Sequence, residues 1–181
     1  MIHFPKPYAD AVARLRVPSG FLLAAAFAWC SNPDTSSLAI GLPVSLGGLL
    51  LRAWAAGHLA KNLRLATSGP YAHVRNPLYV GTLLVAAGLV IAARRPSLAL
   101  LFAAVFFLVY LPVVELEEQH LRKLFAEYTA YASRVPAFFP AWKARNGGQR
   151  FSLALYRKNR EYQALGGFLA GALFLIWKAF R

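Results

Sequence analysis

Long apolar runs alternate with short polar breaks along this chain, and that alternation predicts its elements. The first run extends from about Val17 to Cys30 and ends in Ser31-Asn32-Pro33-Asp34, which has strong turn chemistry. The second runs from Leu38 to about Ala56 with Pro43, Gly47 and Gly48 inside, residues a membrane helix tolerates when its neighbours satisfy the backbone. The third spans Pro77 to Ala93, its proline suited to a helix first turn. Arg94-Arg95-Pro96 connects it tightly to a fourth, Ser97 to Val114. A fifth, Ala164 to Trp177, covers only about 21 Å at helical rise, so spanning needs help from its flanks.

Between the fourth and fifth runs the pattern changes. Leu116, Leu121, Leu124, Phe125, Tyr128 and Tyr131 recur at helical spacing with Arg122, Lys123 and Glu127 between them, which predicts an amphipathic helix continuing out of the membrane. Val135-Pro136-Ala137-Phe138-Phe139-Pro140 breaks it, and Lys143 to Gln149 reads as a polar loop. The expected fold is therefore all-α: one polytopic membrane bundle of four to five transmembrane helices with an amphipathic helix on the cytoplasmic side.

Composition sharpens this picture. Of 181 residues 58% are hydrophobic and only 15% charged, with a mean hydropathy of +0.45, beyond a soluble domain's norm. A net charge of +13 invites a nucleic-acid reading, but no basic patch sits on a recognisable soluble module. With five spans, sixteen of the twenty Lys and Arg fall on one side, Arg52, Lys61, Arg64 and Arg75 sharing one loop there. That side should be cytoplasmic, in a cell's inner membrane. Lys6, Arg14 and Arg16 before Phe21–Trp29 resemble a signal sequence, yet bulky Phe27 and Trp29 favour an uncleaved first span. Cys30, the only cysteine, is expected to pack as a small hydrophobe. Trp29, Trp54, Trp142 and Trp177 read as interfacial anchors. His58, His73 and His120 show no metal-ligand spacing, so no metal is expected.

Two polar patches carry the candidate chemistry. Gly69-Pro70-Tyr71 and Val74-Arg75-Asn76-Pro77-Leu78-Tyr79-Val80-Gly81 lead into the third run, and Glu117-Glu118 follows the fourth. If those runs form a helical hairpin, both patches reach one membrane face. Arg75, with Lys61 and Arg64, two carboxylates, and Tyr71 and Tyr79 suit a zwitterionic ligand bearing a carboxylate, ribose hydroxyls and a flat base. Adjacent glutamates point about 100° apart on a helix, so only one faces such a pocket fully.

These motifs resemble the signature of the isoprenylcysteine carboxyl methyltransferase family, above all its bacterial branch related to phospholipid methyltransferases. The lead-in Gly57-His58, Lys61-Asn62 and the run Leu121, Phe125, Tyr128, Tyr131, Val135, Pro136 extend the likeness over roughly residues 50 to 140. The resemblance implies an intramembrane methyltransferase using S-adenosyl-L-methionine, with the bilayer and a lipophilic small molecule as its partners. It implies cofactor contacts from Lys61, Leu65, Ala66, Tyr71, Asn76, Pro77, Leu78 and Tyr79, with Glu117 binding from the other leg. Arg75 would brace the pocket or meet a carboxylate, and Glu118 would orient its neighbours. Asn76 stands where eukaryotic members carry His, and Val113 where they carry an Arg for the substrate carboxylate. The acceptors that fit are a prenylcysteine-type or other lipid-like carboxylate, a phospholipid amine, or a small thiol. In-line methyl transfer needs alignment and water exclusion rather than a strong base, so no catalytic nucleophile is assigned. An NADPH-dependent sterol-reductase-like enzyme and a non-enzymatic membrane scaffold are the other classes such a chain fits.

Overall fold

The structure, a computed structural model, describes residues 4–140 and 149–181, leaving out the side chain of Arg16. Trp142 and the polar loop expected from Lys143 lie outside the described residues, apart from Gln149. Among the described residues there are helices and connecting turns, with no strand.

Helix α1 covers Lys6–Cys30, well before the Val17 expected for its start, and bends by 52° between Lys6–Leu15 and Val17–Cys30. Pro18, inside the helix beside that bend, lacks the N–H that would continue the ladder. Cys30 ends the helix exposed, a correction to its expected packing. Helix α2, Thr35–Ala56, starts at a capping box: the Ser37 backbone N–H donates to Asp34 Oδ1 at 2.7 Å, and Asp34 N–H to Ser37 Oγ at 3.0 Å. Its last turns contain Arg52, which is therefore part of a span rather than of the following loop.

Helix α3, Pro77–Ala93, packs chiefly against α2 rather than as the hairpin partner of the fourth run. The reason lies in small residues. Gly41, Ser45 and Gly48 on α2 face Gly81, Gly88 and Ala92 on α3. A Cβ on Gly41 would sit 2.4 Å from the Gly88 carbonyl oxygen, and one on Gly48 2.6 Å from that of Gly81. Buried Ser45 donates its hydroxyl to the Val85 carbonyl at 2.9 Å. Lipid offers no hydrophobic drive for helix association, so close backbone approach of this kind supplies it.

The fourth run and the start of the amphipathic segment form one 29-residue helix, Pro96–Leu124, about 44 Å long. It exceeds a hydrocarbon core of about 30 Å, so its polar last turns emerge from the apolar layer. Within it α4 (Pro96–Val105) and α5 (Leu111–Leu124) flank a π-turn, Phe106–Tyr110. Pro112 cannot donate to the Leu108 carbonyl one turn earlier. Tyr8 of α1 supplies the missing donor, its hydroxyl reaching that oxygen at 2.7 Å.

The amphipathic helix stops sooner than its periodicity predicts. Phe125 is extended, and Tyr128–Ala132 forms a separate short helix, α6. Tertiary contacts override the pattern: Tyr128 and Tyr131 are buried, and Tyr131 donates its hydroxyl to the Tyr71 carbonyl at 2.7 Å.

After α7 (Leu153–Lys158), helix α8 covers Tyr162–Ala179, longer than the run Ala164–Trp177. Its N-cap Glu161 pairs with Arg52, while Lys178 near its other end donates to the Ala28 and Trp29 carbonyls at 2.9 and 3.1 Å. Helix α8 thus runs the depth of the bundle. Among the described residues three helices are long and apolar enough to cross a membrane, and four when the halves of α1 count as one, with the 17-residue α3 packed among them. Phe21, Leu22, Leu100 and Leu173 project outward with more than half their surface exposed, as a lipid-facing surface requires. This is a polytopic helical membrane protein.

At the end of the bundle where α1 finishes, the turns after α1 and α3 lock together. Asn32 N–H donates to the Ala93 carbonyl at 2.8 Å, Arg95 Nε to that of Cys30 at 3.1 Å, and Arg94 pairs with Asp34. The polar patches gather at the opposite end.

Candidate functional site

Arg75 joins the two patches. Its Nε and Nη2 donate to the two carboxylate oxygens of Glu118 at 3.1 and 3.2 Å, a bidentate pair 11% and 4% exposed at the side chains. Its Nη1 donates to the carbonyls of Ala132 at 2.7 Å and Val135 at 3.1 Å. Asn76 Nδ2 adds a bond to Glu118 Oε1 at 3.0 Å. The backbone repeats the connection, with Arg75 N–H donating to the Pro136 carbonyl at 2.8 Å and Asn76 N–H to that of Ala137 at 3.2 Å. The proline-rich break after α6 therefore runs beside the first motif and holds it in place.

Gly69 opens that motif with a φ of +59°, which favours glycine. A side chain there would also strike the His58 ring, 2.7 Å from its Nε2. His58 is itself buried, with Nδ1 2.9 Å from the Trp54 carbonyl oxygen. It pins the end of α2 to the turn that presents Tyr71.

Beside this lock lies a cavity of about 780 Å³, a size typical of small-molecule sites. Lys61, Leu65 and Ala66 line it from the loop after α2; Tyr71, Arg75, Leu78 and Tyr79 from the turn and the start of α3; Glu117 from α5. The other three residues put forward from the sequence do not. Asn76 and Glu118 are turned into the ion-pair lock, and Pro77 is buried at the first turn of α3. In the structure these three stand behind the cavity wall, because neighbouring residues on a turn or helix face different ways.

Sequence reasoning passed over Arg52, Thr82, Tyr110, Asn159 and Glu161, all in the same wall. Arg52 carried a signal, being a charge inside an apolar run. Tyr110 reaches the cavity from the π-turn and meets Tyr79 edge-on, ring centroids 6.5 Å apart. Asn159 and Glu161 come from the carboxy-terminal segment, where no motif marked them. That segment is attached to the end of α2: Ser152 N–H donates to the Gly57 carbonyl, and Asn159 Nδ2 to those of Ala56 and Leu59, all at 2.9 Å.

Burial pushes the phenols of Tyr71, Tyr128 and Tyr131 well above the usual tyrosine range, because an ionised phenolate would lose its hydration. Neighbouring negative charge adds to this, from Glu117 at Tyr71 and Glu118 at Tyr128. These tyrosines serve the site as neutral aromatic faces. Among the described residues no three His, Cys, Asp or Glu side chains are grouped so as to hold a metal ion.

Residues 37–128, half of the chain, match the phospholipid methyltransferase family. The chain belongs to that family. The match spans α2, α3 and the continuous helix through α5, which carry most of the cavity wall. Among similar proteins is the cobalt-zinc-cadmium resistance protein CzcN of Cupriavidus metallidurans, 41% identical over 91 residues, covering 49% of this chain and 42% of the relative. The nickel-cobalt-cadmium resistance protein NccN of Alcaligenes xylosoxydans xylosoxydans is 32% identical over 151 residues, 80% of this chain and 66% of that one. The protein-S-isoprenylcysteine O-methyltransferase of Schizosaccharomyces pombe is 28% identical over 141 residues, 75% of this chain and 59% of the relative. The chain thus spans less than two thirds of each of these relatives. No solved structure gives a significant match. Family and fold together describe a polytopic membrane protein of the phospholipid methyltransferase family, in agreement with the resemblance read from the two motifs.

Proposed function

We propose that this phospholipid methyltransferase family member is an intramembrane methyltransferase that uses S-adenosyl-L-methionine and modifies a lipid-like acceptor. One observation carries the reading. The Arg75–Glu118 pair draws the two motifs together and leaves the adjacent Glu117 on the cavity wall.

The chemistry of the wall fits a sulfonium nucleoside bearing an amino acid. Glu117 offers a carboxylate to ribose hydroxyls or an ammonium group, Lys61 and Arg64 are exposed cations for a carboxylate, and Tyr71 supplies a buried aromatic face. Tyr79 and Tyr110 add faces that tolerate a sulfonium cation. When bound, such a cofactor supplies a methyl carbon already activated for displacement. The protein's share is to hold, orient and exclude water. The lock places the first motif against the α5 wall, so the cavity is built before a ligand arrives. No residue is required to take a proton from a carboxylate or thiolate acceptor.

In this reading the protein sits in the inner membrane with the cavity facing the cytoplasm, where its basic loops gather. Its partners are the bilayer and a lipophilic small molecule, with no nucleic acid and no metal in the reaction. Among the acceptors the family's chemistry spans, a prenylcysteine-type or other lipid carboxylate comes first, ahead of a phospholipid amine or a small thiol. Incubating the purified protein with methyl-radiolabelled S-adenosyl-L-methionine and total membrane lipid tests the proposal. A labelled lipid whose formation is blocked by the demethylated cofactor supports it. No label in lipid or thiol fractions under saturating donor contradicts it.

A further inference from the structure

Arg52, Arg64 and Arg75 line the cavity; Arg64 is exposed, and the other two guanidinium groups are committed to very different degrees. Arg75 engages both carboxylate oxygens of Glu118 and two carbonyls. Arg52 meets Glu161 through Nε alone, at 2.5 Å, and anchors Nη1 on the Leu78 carbonyl at 3.2 Å and Thr82 Oγ1 at 2.5 Å. Among the described residues its Nη2 donates to nothing. Its side chain is 23% exposed, twice that of Arg75. A forked cation fixed at one corner, with its outer edge unfilled, is built to receive a second pair of oxygens.

Its position adds to this. Arg52 lies one turn before the end of α2, on an otherwise apolar helix long enough to cross a membrane, and Thr82 lies a turn beyond Leu78 along α3. Ionisable groups in such places are expensive and mark ligand pathways. The neighbouring wall is apolar and aromatic, with Leu78, Tyr79, Tyr110 and Val113 suited to a hydrocarbon chain. Glu161, buried and without a side-chain cap hydrogen bond, keeps one other support for its charge when it shares that partner. It is the N-cap residue of α8, where the helix dipole favours negative charge.

We propose that Arg52 is the recognition residue for an anionic acceptor headgroup, carboxylate or phosphate, which takes the guanidinium edge over from its resting counter-ion Glu161. The inference rests on the methyltransferase reading for the word acceptor, but the anion subsite is measurable without methyl donor. Arg52 then supplies, from α2, the cation that Val113 cannot. Glu161, beyond the family-matching residues 37–128, sets how strongly the headgroup must compete.

The test is equilibrium binding of laurate, lauryl phosphate, lauryl alcohol and inorganic phosphate to the whole protein in an uncharged detergent. Arg52→Gln should weaken both anionic amphiphiles about tenfold and leave lauryl alcohol unchanged, the size of a lost charge-assisted hydrogen-bond pair. Arg52→Lys, which keeps the charge but not the fork, should fall between. Glu161→Gln should tighten both amphiphiles several-fold by removing the competitor. If Arg52→Gln does not fold, Glu161→Gln decides alone: tighter binding supports the proposal, and unchanged or weaker binding overturns it. Preference between laurate and lauryl phosphate separates a carboxylate from a phospholipid source. Inorganic phosphate competing as well as lauryl phosphate would make this a free-anion site and end the headgroup assignment. Calorimetry with S-adenosyl-L-methionine on the same preparations separates failure here from failure of the methyltransferase reading.

Discussion

Replacing Glu118 by alanine removes the acceptor of three hydrogen bonds, from Arg75 Nε and Nη2 and from Asn76 Nδ2, and leaves a guanidinium buried without its counter-ion. Breaking a buried ion pair by deleting one partner costs roughly 3–5 kcal/mol. Arg75 keeps its Nη1 bonds to Ala132 and Val135, so the lower end, about 3 kcal/mol, is expected. The neighbouring Glu117 is the internal control. It is half-buried on the cavity wall, and Glu117→Gln should change stability by less than about 1 kcal/mol. Its loss should instead weaken S-adenosyl-L-methionine about tenfold or more, the value of a charge-assisted hydrogen bond. Thermal unfolding in detergent reads the first effect and calorimetric titration the second. If Glu118→Ala melts like wild type, or Glu117→Gln unfolds while Glu118→Ala does not, the division of labour between the two glutamates is wrong.

Gly88→Ala places a methyl 2.3 Å from Ser45 Oγ and 2.4 Å from the Gly41 carbonyl oxygen, so α2 and α3 must part. A loss of about 1–3 kcal/mol is expected in the same melting assay, while Gly166→Ala, with nothing within 4 Å, should be neutral or slightly stabilising. Tyr8→Phe strands the Leu108 carbonyl beside Pro112 and should cost about 1 kcal/mol, seen as faster hydrogen exchange in the first turns of α1. The three raised phenols predict an alkaline limit. Folding holds their protons more tightly than the unfolded chain does, so stability is flat below pH about 10 and falls as pH climbs above it. Ultraviolet titration of the folded protein should show phenols that ionise later than free tyrosine, a delay lost in the triple phenylalanine variant.

The apolar runs fixed most of the bundle because length and hydropathy are local properties. Pro77 to Ala93 coincides with α3 for that reason. What escaped were consequences of contact. The helical spacing through Tyr128 and Tyr131 is real, yet docking of those two rings on the first motif turns the chain at Phe125. The pairing of α3 with α2 was written in Gly41, Ser45 and Gly48, residues that read as helix weaknesses until a partner surface is known. At the site, Glu117 and Glu118 were legible as a pair that must diverge, whereas Asn76 and Pro77 stood so near the motif's centre that their retreat behind the wall left no trace in spacing. Asn159 and Glu161 reach the cavity across about a hundred residues of sequence, and no local pattern encodes that return.

The two motifs are proposed to enclose one sulfonium-nucleoside site. Calorimetric titration of the purified wild-type protein with S-adenosyl-L-methionine, its demethylated product and NADPH addresses it most directly. A single saturable site shared by the first two ligands, indifferent to NADPH and weakened about tenfold by Glu117→Gln, is the predicted result. Absence of heat from the first two at saturating concentrations, or binding of NADPH in their place, would contradict it.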